Sequence, residues 1–165
     1  MCARLFFSLT LLALSALGAR AQDSTGCDKF KWSIARERGW FATGAKPVAA
    51  GGEVTLDQGF EVALAPVDSL HFVAPPERAS KAGTFGGVLE IAIPKAGAYD
   101  VTLSAEAWVD VVQNGAIVKS ADFSGQKNCP GVRKSVRFNL AAGDAKLQIS
   151  NAEAAKIDVA PAAAE

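Results

Sequence analysis

Four basic residues crowd one stretch of the C-terminal half, Lys127, Arg133, Lys134 and Arg137, with Ser124, Gly125, Gln126 and Asn128 beside them. A guanidinium next to the backbone N–H groups of a loop suits a carboxylate, a sulfate or a uronic acid. The same residues also suit a solvated strand face that pairs with Asp110 or Asp122. Three tryptophans, Trp32, Trp40 and Trp108, have rings fit to stack on a pyranose, and equally fit to fill a core. From these groups the candidate ligand-binding residues are Trp108, Asp110, Gln126, Lys127, Arg133 and Lys134. The ligand they suggest is a saccharide or a small anion.

Other chemistries find little to work with. His71 is the one histidine of 165 residues, so neither a two-histidine iron site nor a histidine-rich zinc site can be assembled within the chain. A serine triad would need His71, and no G-x-S-x-G elbow is present to receive it. Gly83-Thr84-Phe85-Gly86-Gly87 lacks the Gly-Lys-Ser/Thr ending of a phosphate loop and precedes a strand pattern. Glu106 and Asp110 are carboxylates that a continuous strand would place on one side, which keeps a small hydrolase as an alternative. No catalytic residue, metal ligand or cofactor is assigned.

The candidates lie on Ala105–Leu140, and that stretch must be held rigidly to act. Trp108–Gln113 and Ala116–Ser120 flank Asn114-Gly115, the strongest short signal for a two-residue hairpin. Asp122–Gly131 reads as a long polar loop, and Val132–Leu140 as a strand with Val136, Phe138 and Leu140 inward. Cys129 lies in the loop. Its expected partner is Cys27, with two free thiols as the alternative.

The N-terminus predicts export. Arg4 precedes the apolar run Leu5–Leu14, and Ala19-Arg20-Ala21 offers an A-x-A cleavage site, so residues 1–21 read as a signal peptide. Thr25-Gly26-Cys27 has the look of a lipidation site but stands apart from the apolar run. The expected location is the periplasm or the outside of the cell, where a disulfide persists. Without Arg4 and Arg20, the 17 basic residues fall to 15 against 17 acidic ones, a balance that points away from nucleic acid.

From residue 22 the chain reads as one domain. Residues 22–52 hold one helix, Asp28–Phe41 ending near Gly39, and a connecting loop. Residues 53–160 alternate with period two through nine or ten short strands, among them Leu70–Val73 and Tyr99–Leu103. Residues 161–165 read as an alanine-rich tail. The expected fold is all-β, an antiparallel β-sandwich of jelly-roll type with one short N-terminal helix.

Within Lys95–Asn151, Ala96-Gly97-Ala98-Tyr99-Asp100-Val101-Thr102-Leu103, the Asn114-Gly115 hairpin, and Leu140-Ala141-Ala142-Gly143-Asp144-Ala145-Lys146-Leu147-Gln148-Ile149 form a pattern. It resembles secreted bacterial jelly-roll modules, the pre-peptidase C-terminal and galactose-binding-like β-sandwiches. The resemblance implies a module that binds carbohydrate or serves as a spacer on an exported enzyme; with no enzyme domain in the sequence, the chain reads as a stand-alone periplasmic protein of an uncharacterised family. An envelope protein is the alternative partner, for a structural or interaction role. No catalytic residues carry over from it.

Overall fold

Period-two patterning becomes two packed sheets in the computed structural model, which describes residues 26–165. The signal-peptide reading, residues 1–21, lies outside the described residues. Twelve strands follow in order: β1 Lys46–Ala49, β2 Glu53–Val54, β3 Phe60–Ala63, β4 Ala65–Pro66, β5 Phe85–Ile93 and β6 Gly97–Leu103. Then come β7 Trp108–Gln113, β8 Ala116–Val118, β9 Ser120–Gly125, β10 Lys134–Leu140, β11 Gly143–Ala152 and β12 Lys156–Ala163. One sheet has the order β1-β3-β12-β6-β10-β9; the other is β2-β5-β11-β7-β8, with β4 also on β5.

The pairing is that of a ribbon rolled up from its tip. β7 pairs with β8, β6 with β10, β5 with β11 and β3 with β12, all antiparallel and nested in sequence. That nesting is a jelly roll. Its tip is the turn at Asn114 (φ 51°) and Gly115 (φ 77°), where both central residues take the left-handed conformation that a tight hairpin requires. The ribbon is antiparallel throughout, but two flanking pairs, β1 with β3 and β2 with β5, are parallel.

Inward residues match the alternation. Tyr99, Val101 and Leu103 of β6 face Val109 and Val111 of β7, Leu147 and Ile149 of β11, and Val136, Phe138 and Leu140 of β10 in one continuous core. Removing that apolar surface from water is the main force closing the sandwich. Tyr99 keeps its hydroxyl satisfied by donating to the Lys95 carbonyl, at 2.8 Å.

Several expected elements differ. The helix α1 spans Ala35–Ala42, not Asp28–Phe41. Gly26–Lys29 forms a single tight turn, and the segment between is bent and irregular, tied to the sheet by side-chain bonds. Lys31 N–H donates to Ser124 Oγ at 3.0 Å, and Trp32 Nε1 donates to Ser135 Oγ at 3.1 Å. Tertiary bonds here outweigh local periodicity. The helix also runs through Gly39 and ends at Thr43, after which Gly44 takes φ 102°, the left-handed residue that closes a helix.

The connecting loop contains a strand, β1, and the loop expected from Asp122 begins inside β9. Leu70–Val73 is not a strand. The alanine-rich end is no tail: β12 reaches Ala163, and Ala160 and Ala162 are buried. In register they lie beside Thr102 and Asp100 on the outer face of their sheet. Their small side chains let α1 approach β12 closely.

The disulfide joins Cys27 and Cys129, with Cα atoms 4.6 Å apart. Around it Ile34 and Val132 form a second, smaller core with Phe30, Trp32 and Phe41. The N-terminal segment is thereby fixed across the outer face of the first sheet. The outer face of the second sheet carries a different cover, residues 70–84.

Candidate functional site

Polar side chains projecting from the second sheet hold that cover. Gln148 of β11 is fully buried; its amide oxygen accepts from Val73 N–H (2.6 Å) and Ala74 N–H (3.0 Å), and its amide nitrogen donates to the Ala74 carbonyl (3.0 Å). Asn151 accepts from Lys81 N–H at 2.8 Å and donates to the Ala79 carbonyl at 3.2 Å. Asp110 of β7 accepts from Glu77 N–H at 3.3 Å. Buried polar groups persist only when bonded, so these contacts fix the path of residues 70–84 over the sheet. The result is that Arg78 arrives over the Trp108 ring, its guanidinium carbon 4.6 Å from the centroid.

Next to Arg78 the sandwich is open. β8 pairs only with Val111, Val112 and Gln113, so the start of β7 has no strand on that side. β9 extends the other sheet past it. A cleft of about 320 Å³ fills the gap. Its floor is the inner face of β10 and β7, Val136, Phe138 and Val109; one wall is β9, with Ser120, Phe123 and Gly125. The rim carries Glu77, Arg78, Glu106, Trp108, Arg133 and Lys134. Phe123 faces inward in register with Val136 yet is 64% exposed, because no strand of the second sheet lies opposite.

The rim charges are not all matched. Arg133 pairs with Glu106 at 2.6 Å. Lys134 Nζ lies 5.5 Å from the Trp108 centroid, and among the described residues neither Lys134 nor Arg78 has a carboxylate within 4.0 Å. Burial pulls the Lys134 amine below the usual lysine range, and the Arg133 and Arg78 charges push it the same way against Glu106 and Asp110. Burial also raises the Asp110 carboxyl, opposed by the Trp108 and Glu77 hydrogen bonds.

The candidates chosen from sequence divide three ways. Trp108, Arg133 and Lys134 meet at the cleft. Asp110 lies behind it, buried, with one oxygen taken by Trp108 Nε1 at 2.8 Å and the other by Glu77 N–H. It shares the outer face with Trp108 but does not line the cleft, because the Trp108 indole and the Glu77 backbone cover it. Gln126 and Lys127 line a neighbouring, more open recess with Lys29 and Asn128, which shares Gly125 and Arg133 with the cleft. The Gln126 amide nitrogen donates to the Lys29 carbonyl at 3.2 Å, so that side chain serves the N-terminal segment.

Arg137 leaves the basic cluster altogether. It makes two 2.7 Å bonds to Asp100 and stacks on Trp32 at 4.4 Å. Its partner is Asp100, directly across on β6, not Asp110 or Asp122. Sequence reasoning missed Arg78, Glu77 and Phe123. The only signal for the first two was the rigid Pro75-Pro76 that precedes them.

No family model and no curated protein matches the chain. Among solved structures, the pre-peptidase C-terminal domain of a collagenase from Bacillus anthracis aligns over 72% of this chain and 98% of its own, at 12% identity and a TM-score of 0.38. So loose an overlap carries no argument about ligand or activity. The jelly-roll assignment rests on the chain's own strand pairing. Among the described residues, no group of three or more His, Cys, Asp or Glu side chains gathers as a metal site requires, and no helix is long and apolar enough to cross a membrane.

Proposed function

We propose that this protein is an exported, non-catalytic β-sandwich module that binds a small carboxylate-bearing ligand in the cleft beside Trp108. One observation carries the reading: Arg78 and Lys134 hold charge at a partly apolar cleft with no carboxylate within 4.0 Å among the described residues. Lys134 is partly buried, and desolvating a cation without pairing it is costly, so an incoming anion relieves that cost, while the exposed Arg78 adds a second charge at the mouth. The Cys27–Cys129 disulfide supports an oxidising compartment.

The same geometry weakens the neutral-sugar reading. Stacking a pyranose on Trp108 needs a bare ring face, and Arg78 already lies over the indole. A sugar acid remains compatible, through its carboxylate. Isothermal titration and thermal shift with acetate, glucuronate, sulfate and glucose test the reading. Acetate and glucuronate should raise the melting temperature, glucose should not, and Arg78→Ala should abolish the shift. Equal response to glucose and glucuronate, or none to any anion, overturns it.

A further inference from the structure

The cleft is bounded on one side by strand backbone as well as by side chains. The hairpin turn contains two residues, so Gln113 and Ala116 exchange both backbone hydrogen bonds, and Val111 and Val118 do so again. By that alternation Val109 is the next residue to turn its N–H and C=O toward the β8 side. β8 ends at Val118, and among the described residues no strand pairs with Val109 there. Val109 lines the cleft. A backbone donor and acceptor and an apolar floor therefore face one space, where among the described residues the cations Arg78 and Lys134 and the single carboxylate Glu77 make no salt bridge, an excess of positive charge.

We infer that the cleft takes the carboxyl-terminal end of an extended peptide, which continues the line of β8 and pairs with Val109. This deepens the anion-binding reading above and rests on it. The terminal carboxylate lies between Arg78 and Lys134. The apolar side chain next to it reaches Val136 and Phe138, and Phe123 covers the peptide from the β9 side. Adding a strand to a free edge supplies main-chain bonds for affinity, while pockets for alternate side chains supply selectivity. Charge complementarity favours a chain end. The cleft volume of about 320 Å³ is at the small end for ligand sites, which suits a terminus better than a long segment passing through. A sugar acid would use Arg78 and Lys134 and could bond Val109 through hydroxyls, but it does not present the amide N–H and C=O at strand spacing that a β edge pairs with.

The test is a two-dimensional amide NMR titration of the whole protein. The probes are a pool of acetylated pentapeptides randomised at every position with free carboxyl ends, the same pool amidated, and glucuronate. The free-acid pool should shift the Val109 amide and the Trp108 indole signal. It should also slow Val109 amide exchange at least tenfold. The amidated pool should do neither, and Arg78→Ala should weaken the response at least tenfold. Shifts from glucuronate at Trp108 with no pool response at Val109 overturn the peptide inference and leave the anion reading standing. Equal response to both pools removes the role of the terminal carboxylate and so overturns the inference. Silence from every probe overturns both.

Discussion

Removing the disulfide by Cys27→Ser with Cys129→Ser gives the sharpest stability test. The two cysteines are 102 residues apart. Cross-linking a loop of that length removes unfolded-state entropy worth about 4.7 kcal/mol in the chain-entropy model, an upper value. Both cysteines are buried against Ile34 and Val132, so the serines also leave two small polar groups in an apolar cluster. A loss of about 3–5 kcal/mol is expected, lowering the melting temperature by on the order of 10 °C.

The location of the bridge adds a second consequence. It ties residues 26–34 to the β9–β10 loop, outside the main core. Without it this segment can open locally while the jelly roll persists. Urea unfolding followed by circular dichroism reads the global loss. Hydrogen exchange at Lys31, whose N–H donates to Ser124 Oγ, reads the local one. The reasoning is refuted if the double variant loses under about 1 kcal/mol and Lys31 exchange is unchanged.

Further outcomes follow from single contacts. Arg137→Ala strands a buried Asp100, whose side chain is 5% exposed, and should cost about 2–3 kcal/mol, against under about 1 kcal/mol for Arg133→Ala at the rim; urea midpoints compare them. Gln148→Ala leaves the Val73 and Ala74 N–H groups without their acceptor and should cost about 2 kcal/mol. It should also weaken carboxylate binding by loosening the segment that carries Arg78, which titration of the variant with acetate measures. The Lys134 amine is lowered from 10.5 in the fold, so between its folded value and 10.5 the unfolded chain binds more protons and stability rises with pH. Lys134→Met should flatten that rise in alkaline unfolding curves. In the wild type, carboxylate affinity should fall as pH rises through the folded Lys134 value. Asp110 is shifted the other way, raised from 3.8, so stability should fall as pH rises through that window. Asp110→Asn should remove the slope while keeping an acceptor for Trp108.

Much of the architecture was legible in local pattern. Period-two alternation in Tyr99–Leu103 and Val136–Leu140 reports which face meets the core, because successive strand residues point to opposite sides. Asn114-Gly115 marks the tip of the roll, because few other pairs accept positive φ twice. Of the three cysteines, Cys2 falls in the expected signal peptide, which leaves Cys27 and Cys129 as one possible pair, and they form the bridge.

The site was less legible because its parts come from contacts far apart in sequence. Trp108, Arg133 and Lys134 were visible as residue types suited to a ligand. Which cations remain unmatched depended on partners no local pattern names: Arg137 is consumed by Asp100, Arg133 by Glu106. Arg78 reaches Trp108 only because Gln148 and Asp110 hold residues 70–84 across the sheet. The cleft itself exists because β8 stops at Val118 while β9 extends beyond the opposite sheet. Side-chain alternation and turn preference are properties of a few consecutive residues, so the sequence by itself determined the core strands and the hairpin, though not β1 or the path of Leu70–Val73. Charge matching and the open edge are properties of sheets brought together, so only the tertiary structure decided where a ligand can enter.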